Sequence, residues 1–179
     1  MSTGRVPHDP VRPDFPEERT TVSEQQTVTK TVDATPEQIF DLLSRPERHT
    51  EFDGAGMLQG LDSGPDKVSK PGDEFVMNMT NDALGPYQMK NEVTSFEENR
   101  EIGWAPSMHP IDAQKDKLGD VRAEGHTWTW KLEPAGSGTQ VTQVYDWSGV
   151  KDEQFRGFFP MVTEDQMSET IDKVANAAK

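Results

Sequence analysis

The 179-residue chain contains no cysteine, which removes disulfides, thiolate metal ligands and a cysteine nucleophile together. Basic residues are scarce: 18 Lys and Arg stand against 32 Asp and Glu, a formal charge of −14. No clustered basic face is available to track a phosphate backbone, so a nucleic-acid partner is excluded and an anionic membrane surface is disfavoured. No apolar run approaches the length of a bilayer span, so no stable membrane insertion is expected. The first residues also lack the apolar stretch of a secretory signal. No serine sits in a G-x-S-x-G setting, and the glycines build no phosphate-binding loop. The histidines at 8, 49, 109 and 126 have no second ligand at metal-site spacing, so neither a metal nor a cofactor is expected. These absences together point to a cytoplasmic chain.

What is present begins with a tail. Pro7, Pro10, Pro13 and Pro16 recur every third residue among charges, a composition that suits an extended chain and cannot bury a core. Residues 1–22 are therefore expected to be a disordered, proline-rich tail, and 23–179 one folded domain.

That domain opens on Thr31–Phe52, TVDATPEQIFDLLSRPERHTEF. Thr35 is placed to cap a helix, Pro36 suits its first turn, and Gln38 sits where a capping box needs it. Ile39, Phe40, Leu42 and Leu43 form its apolar face, and Pro46 ends it and starts a second short helix in which His49 is expected to be exposed. Period-two alternation follows over Gln26–Val32, Asp73–Thr80, Tyr87–Phe96, the Ile102 and Trp104 pair, Thr127–Leu132 and Val141–Trp147, as in an antiparallel sheet with one wet face. Short turns at 82–86, 98–100 and 135–138 predict hairpins between neighbours. A last helix starts at Thr163, with Gln166 completing a second capping box, and carries a narrow stripe of Met167, Ile171, Val174 and Ala178.

The Thr31–Phe52 segment and the later TWTWKLEPAGSGTQVTQVYDWSG, Thr127–Gly149, resemble the opening segment and last hairpin of the polyketide cyclase/dehydrase and lipid-transport superfamily, also called START-like or SRPBCC. The resemblance runs over roughly residues 24–179. It departs at Arg45, where an acidic residue is common, and at a long polar insertion from Ala105 to Gly125. It implies an α+β helix-grip fold: a curved antiparallel sheet of about seven strands wrapped on a long C-terminal helix, with two short helices after the first strand.

A single narrow helical stripe cannot fill a strongly curved sheet, and the inward residues are large and amphipathic. Phe75, Met77, Met79, Tyr87, Met89, Asn91, Trp104, His126, Trp128, Trp130, Gln143, Tyr145, Trp147, Phe159, Met167 and Ile171 are the candidate cavity lining. Read from residue type alone, such a stripe is more often a plain core; the resemblance implies a cavity between sheet and helix. His126 and Tyr145 are the candidate proton-transfer groups if there is catalysis, with Glu124 a possible partner of His126. Phe155, Phe158, Phe159 and Met161 make an apolar cluster that seals the cavity mouth, docks a partner or simply packs under the terminal helix. The insertion at 105–125 is read as bordering that mouth, with Met108, Ile111 and Leu118 available to fold over it. The resulting expectation is a monomer that binds a small hydrophobic, lipid-like or aromatic polyketide-like molecule. The rival readings are an aromatase or cyclase, and a partner-binding module such as a co-chaperone or quinone escort.

Overall fold

The computed structural model describes residues 23–179, so the proline-rich 1–22 segment lies outside the described residues. Seven strands form one antiparallel sheet: β1 (Gln25–Val32), β2 (Leu58–Ser63), β3 (Glu74–Asn81), β4 (Gly85–Glu97), β5 (Glu101–Met108), β6 (Thr127–Ala135) and β7 (Gly138–Asp146). Their order is β1-β7-β6-β5-β4-β3-β2. Every step from β2 to β7 is thus a sequential neighbour, and only β1 crosses over to pair with β7.

Helix α1 (Pro36–Leu43) starts at the expected cap: Thr35 Oγ1 accepts from Gln38 N at 3.2 Å, and the Gln38 side chain accepts from Thr35 N at 2.9 Å. A 3-10 helix follows over Pro46–Glu51. At three residues per turn, Pro46, His49 and Phe52 share a face, and all three are buried. After the one-turn helix α3 (Glu153–Arg156), helix α4 (Glu164–Ala177) opens on the second capping box, Thr163 with Gln166. Its stripe buries Met167, Ile171 and Val174 completely. Full burial of side chains this size stabilises by about 1.5–3 kcal/mol each.

The core has two parts, and α4 joins them. Ile171 and Val174 belong to a cluster with the α1 residues Ile39, Phe40, Leu42 and Leu43 and the strand residues Trp130 and Val141. Met167 belongs to a second cluster with Met89, Met108, Tyr145, Trp147, Val150 and Phe155. A bulge in β4 between Val93 and Ser95 shifts the register. This turns Phe96 inward, where it meets Phe40 edge-on with centroids 5.3 Å apart.

The connection between β5 and β6 is shorter than the 105–125 span expected for it. Ala105 to Met108 still pair with β4, facing Glu92 to Met89. Pro106 is tolerated there because β5 pairs with β6 only as far as Trp104, so no ladder partner waits on that side. The remainder is anchored at a few points. Helix α2 (Lys115–Leu118) is tied to the β3–β4 turn by Lys117 Nζ donating to Leu84 O at 2.5 Å. Ile111 and Leu118 are partly buried against the second cluster.

Candidate functional site

Between the concave face of the sheet and α4 lies a cavity of about 430 Å³, within the range of small-molecule sites. The alternation of β3, β4, β6 and β7 supplies its walls. Of the expected lining residues, Phe75, Met77, Met79, Tyr87, Met89, Asn91, Trp104, His126, Trp128, Trp130, Gln143, Tyr145 and Met167 face it.

Trp147, Phe159 and Ile171 do not. Trp147 lies just past the end of β7 and stacks on Phe159 at 5.7 Å, so the two rings close against each other in the second core cluster. Ile171 sits one turn beyond Met167, where α4 is covered by the α1 cluster. No residue of 109–125 lines the cavity; the apolar residues of that connection are spent on the second cluster.

The structure adds residues the sequence reading missed, chiefly His49, Phe52, Asp53, Met57 and Leu58. His49 is 3% exposed, against the expectation of a solvent position. Its Nε2 lies 2.8 Å from Leu43 O. A carbonyl only accepts, so Nε2 carries a proton and donates. Burial lowers its pKa from 6.5 to about 4, and the Leu43 contact opposes this only in part. Asp53 holds the loop before β2 to the cavity wall, accepting from Ala55 N at 3.0 Å and Leu58 N at 2.7 Å.

His126 is positioned by a close crossing of backbones. Gly125 has φ +109, and a Cβ there would stand 2.6 Å from Gly149 O. Only glycine allows the chain to pass so near and then enter β6 with His126 inward. The imidazole is buried, its pKa is lowered to about 4 by desolvation, and its Nδ1 has no hydrogen-bond partner. Glu124 does not supply one; it accepts from Arg122 Nε at 2.9 Å instead.

Trp130 and Gln143 both line the cavity, and Trp130 Nε1 and Gln143 Oε1 are likewise buried without a hydrogen-bond partner. These residues are direct partners across the β6–β7 ladder. The next inward pair, Trp128 and Tyr145, stacks with centroids 3.9 Å apart and planes 2° from parallel. Burial raises the Tyr145 phenol well above its ordinary value. The Tyr87 phenol is also raised by burial, with Asn81 hydrogen-bonded to it. Asn91 is occupied locally, donating to Met89 O at 3.3 Å. The Phe-rich segment divides: Phe155 and Phe159 pack inward, Phe158 stays 46% exposed, and Met161, 44% exposed, also lines the cavity.

Among the described residues no group of His, Cys, Asp and Glu could hold a metal ion, and no helix is long and apolar enough to cross a membrane.

Similarity to known proteins follows the fold. The uncharacterized protein Rv0088 of Mycobacterium tuberculosis is 28% identical over 129 residues, 68% of this chain and 50% of that protein. The chain thus spans about half the length of the curated relatives it matches. A solution structure from Arthrobacter aurescens superposes with a TM-score of 0.62 at 15% identity, covering 87% of this chain and 86% of that one. The Aha1 dimer from Colwellia psychrerythraea superposes with a TM-score of 0.53 at 11% identity, covering 86% and 95%. A model of the Activator of Hsp90 ATPase homolog 1-like proteins matches residues 33–179, and the chain belongs to that family, within the START-like (SRPBCC) superfamily.

Proposed function

We propose that the protein binds a small hydrophobic molecule in the cavity between its sheet and α4. The observation that carries this reading is a cavity of about 430 Å³ walled largely by aromatic and Met side chains. A space that size holds water when no ligand is bound, and an apolar molecule that replaces this water buries apolar surface on both sides. The fold agrees, since AHSA1-like and SRPBCC proteins generally bind hydrophobic ligands.

The cyclase reading asks His126 or Tyr145 to move protons. His126 has no carboxylate to orient it, and burial raises the Tyr145 phenol's pKa further from the working pH. Efficient general acids and bases titrate near the working pH, so binding without catalysis is favoured.

Native mass spectrometry of the gently purified protein tests the reading. A non-covalent mass increment that vanishes on denaturation is expected. A folded protein that retains no small molecule and takes up none from an apolar library would contradict it.

A second reading, a partner-docking module, rests on the exposed Phe158 and Met161. It predicts that Phe158→Glu abolishes association with a partner protein while ligand uptake is unchanged.

A further inference from the structure

Methionine is segregated in this fold. Among the described residues every methionine but Met108 lines the cavity: Met57, Met77, Met79, Met89, Met161 and Met167. The core around α1 is built instead largely of Ile, Leu and Val, and among the described residues Leu58 and Val162 are the only ones of that kind on the cavity wall. Leu would fill the same space at little cost, so apolar area alone does not account for the choice. What separates a thioether from Leu is flexibility, polarisability and a reaction: it is oxidised to a polar sulfoxide that reductases reverse.

One of these thioethers is placed to use that reaction. Met77, Met89 and Met167 are buried and Met57 and Met79 half-buried, whereas Met161 is 44% exposed and still lines the cavity. Susceptibility follows exposure, so an oxidant in solution reaches Met161 first. The backbone is held on both sides of this side chain. It meets the Tyr145 phenol oxygen at Met161 itself, and the next carbonyl, Val162 O, accepts from Gln26 Nε2 at 2.7 Å. The thioether therefore leaves a fixed point on the cavity rim, open to solvent and to the ligand space at once.

We propose that Met161 is a reversible oxidation site that shuts the cavity to apolar ligands. The proposal rests on the binding reading above. The oxidant is a hydroperoxide. The Met161 sulfur lone pair attacks the terminal peroxide oxygen, an S–O bond forms as the O–O bond breaks, and the proton on the attacked oxygen passes to the departing one. Sulfur loses two electrons, and the peroxide leaves as water or an alcohol. The new sulfoxide oxygen is a strong acceptor. Gln26 Nε2, the side-chain donor beside it, is already engaged by Val162 O and by Met167 Sδ at 3.7 Å. The sulfoxide therefore keeps water at the rim, and an apolar ligand seated against it strips that water without replacing it.

Hydrogen peroxide tests this on the full chain, with oxidation mapped by peptide mass spectrometry and affinity read by Nile red titration at the dose that oxidises Met161. Met161 is expected to gain oxygen before every other methionine of residues 23–179. Dye affinity should then fall about tenfold, the cost of one buried polar group left without a partner. Methionine sulfoxide reductases of both epimer specificities should restore mass and affinity together. Met161→Leu is compared only with itself before and after peroxide, and its affinity should hold at that dose. If Met161→Leu fails to fold, the reductase reversal on the native protein decides. Oxidation of Met57 or Met79 ahead of Met161, affinity that ignores the Met161 sulfoxide, a loss the reductases do not reverse, or an equal loss in Met161→Leu overturns the proposal and leaves the hydrophobic-ligand reading standing. A folded native protein that binds no dye overturns both.

Discussion

His49 stacks on Trp104 with ring centroids 4.9 Å apart and planes 27° from parallel, and Phe75 meets the same imidazole edge-on at 5.4 Å. A charged ring there would lose its water and gain no carboxylate. His126, also buried, is in the same position.

Stability should therefore fall on acidification. Both histidines have folded pKa values lowered from 6.5 to about 4. Between those values the unfolded chain binds protons that the folded one does not, so stability is fully present above about pH 6.5 and declines toward pH 4. The loss is on the order of 3 kcal/mol for each histidine. Urea unfolding at pH 7 and pH 5 should capture about 2 kcal/mol of it per histidine. His49→Phe and His126→Phe should each flatten part of the slope; slopes identical to the native protein's would exclude these groups as its source.

Helix α4 should be indispensable. Ile171→Ala removes a fully buried side chain from the α1 cluster, at a cost of roughly 2–5 kcal/mol. Thr163→Ala removes a side chain that accepts from Gln166 N at 3.2 Å, costing about 1 kcal/mol. Denaturant midpoints of the two variants should rank in that order. A reversed ranking would mean that packing against α1 is not what holds the helix.

These two elements show what the sequence discloses and what it hides. Both capping boxes, the α4 stripe and the inward faces of β3, β4, β6 and β7 are legible because one face of the sheet is wet and the alternation is clean. Strand β2 is not: its six residues include Gly60 and two register shifts, which erase a period-two signal. His49 is misread because α-helical spacing hides the three-residue repeat of Pro46, His49 and Phe52. Trp147 has inward parity on the line of β7, but pattern cannot foretell that it will stack on Phe159 rather than line a void.

The Gly125 crossing should tolerate no side chain. At φ +109, with a Cβ standing 2.6 Å from Gly149 O, Gly125→Val strains the backbone and forces two segments apart. A loss of about 3 kcal/mol or more is expected, together with displacement of His126, seen as a changed imidazole chemical shift. A near-native unfolding midpoint would mean that the crossing relaxes at little cost.

The Trp128–Tyr145 stack should survive loss of its hydroxyl. Tyr145→Phe keeps both rings in place and should change apolar ligand affinity less than about threefold, since the phenol oxygen already meets the Met161 backbone and a net hydrogen bond is worth about 1 kcal/mol. Trp128→Ala removes the platform and should weaken binding far more. Equal effects in a fluorescence titration would place the ligand away from the β6–β7 ladder.

The most direct test of the account is to fill the cavity. Met77 is buried on β3 and lines it, so Met77→Trp projects an indole into the space the ligand should occupy. Titration of the native protein with the neutral dye Nile red should give saturable one-to-one binding with blue-shifted emission, and Met77→Trp, with its fold checked by thermal unfolding, should abolish it. Undiminished dye binding by the folded variant, or no saturable binding by the native protein, would contradict the claim that this cavity is the binding site.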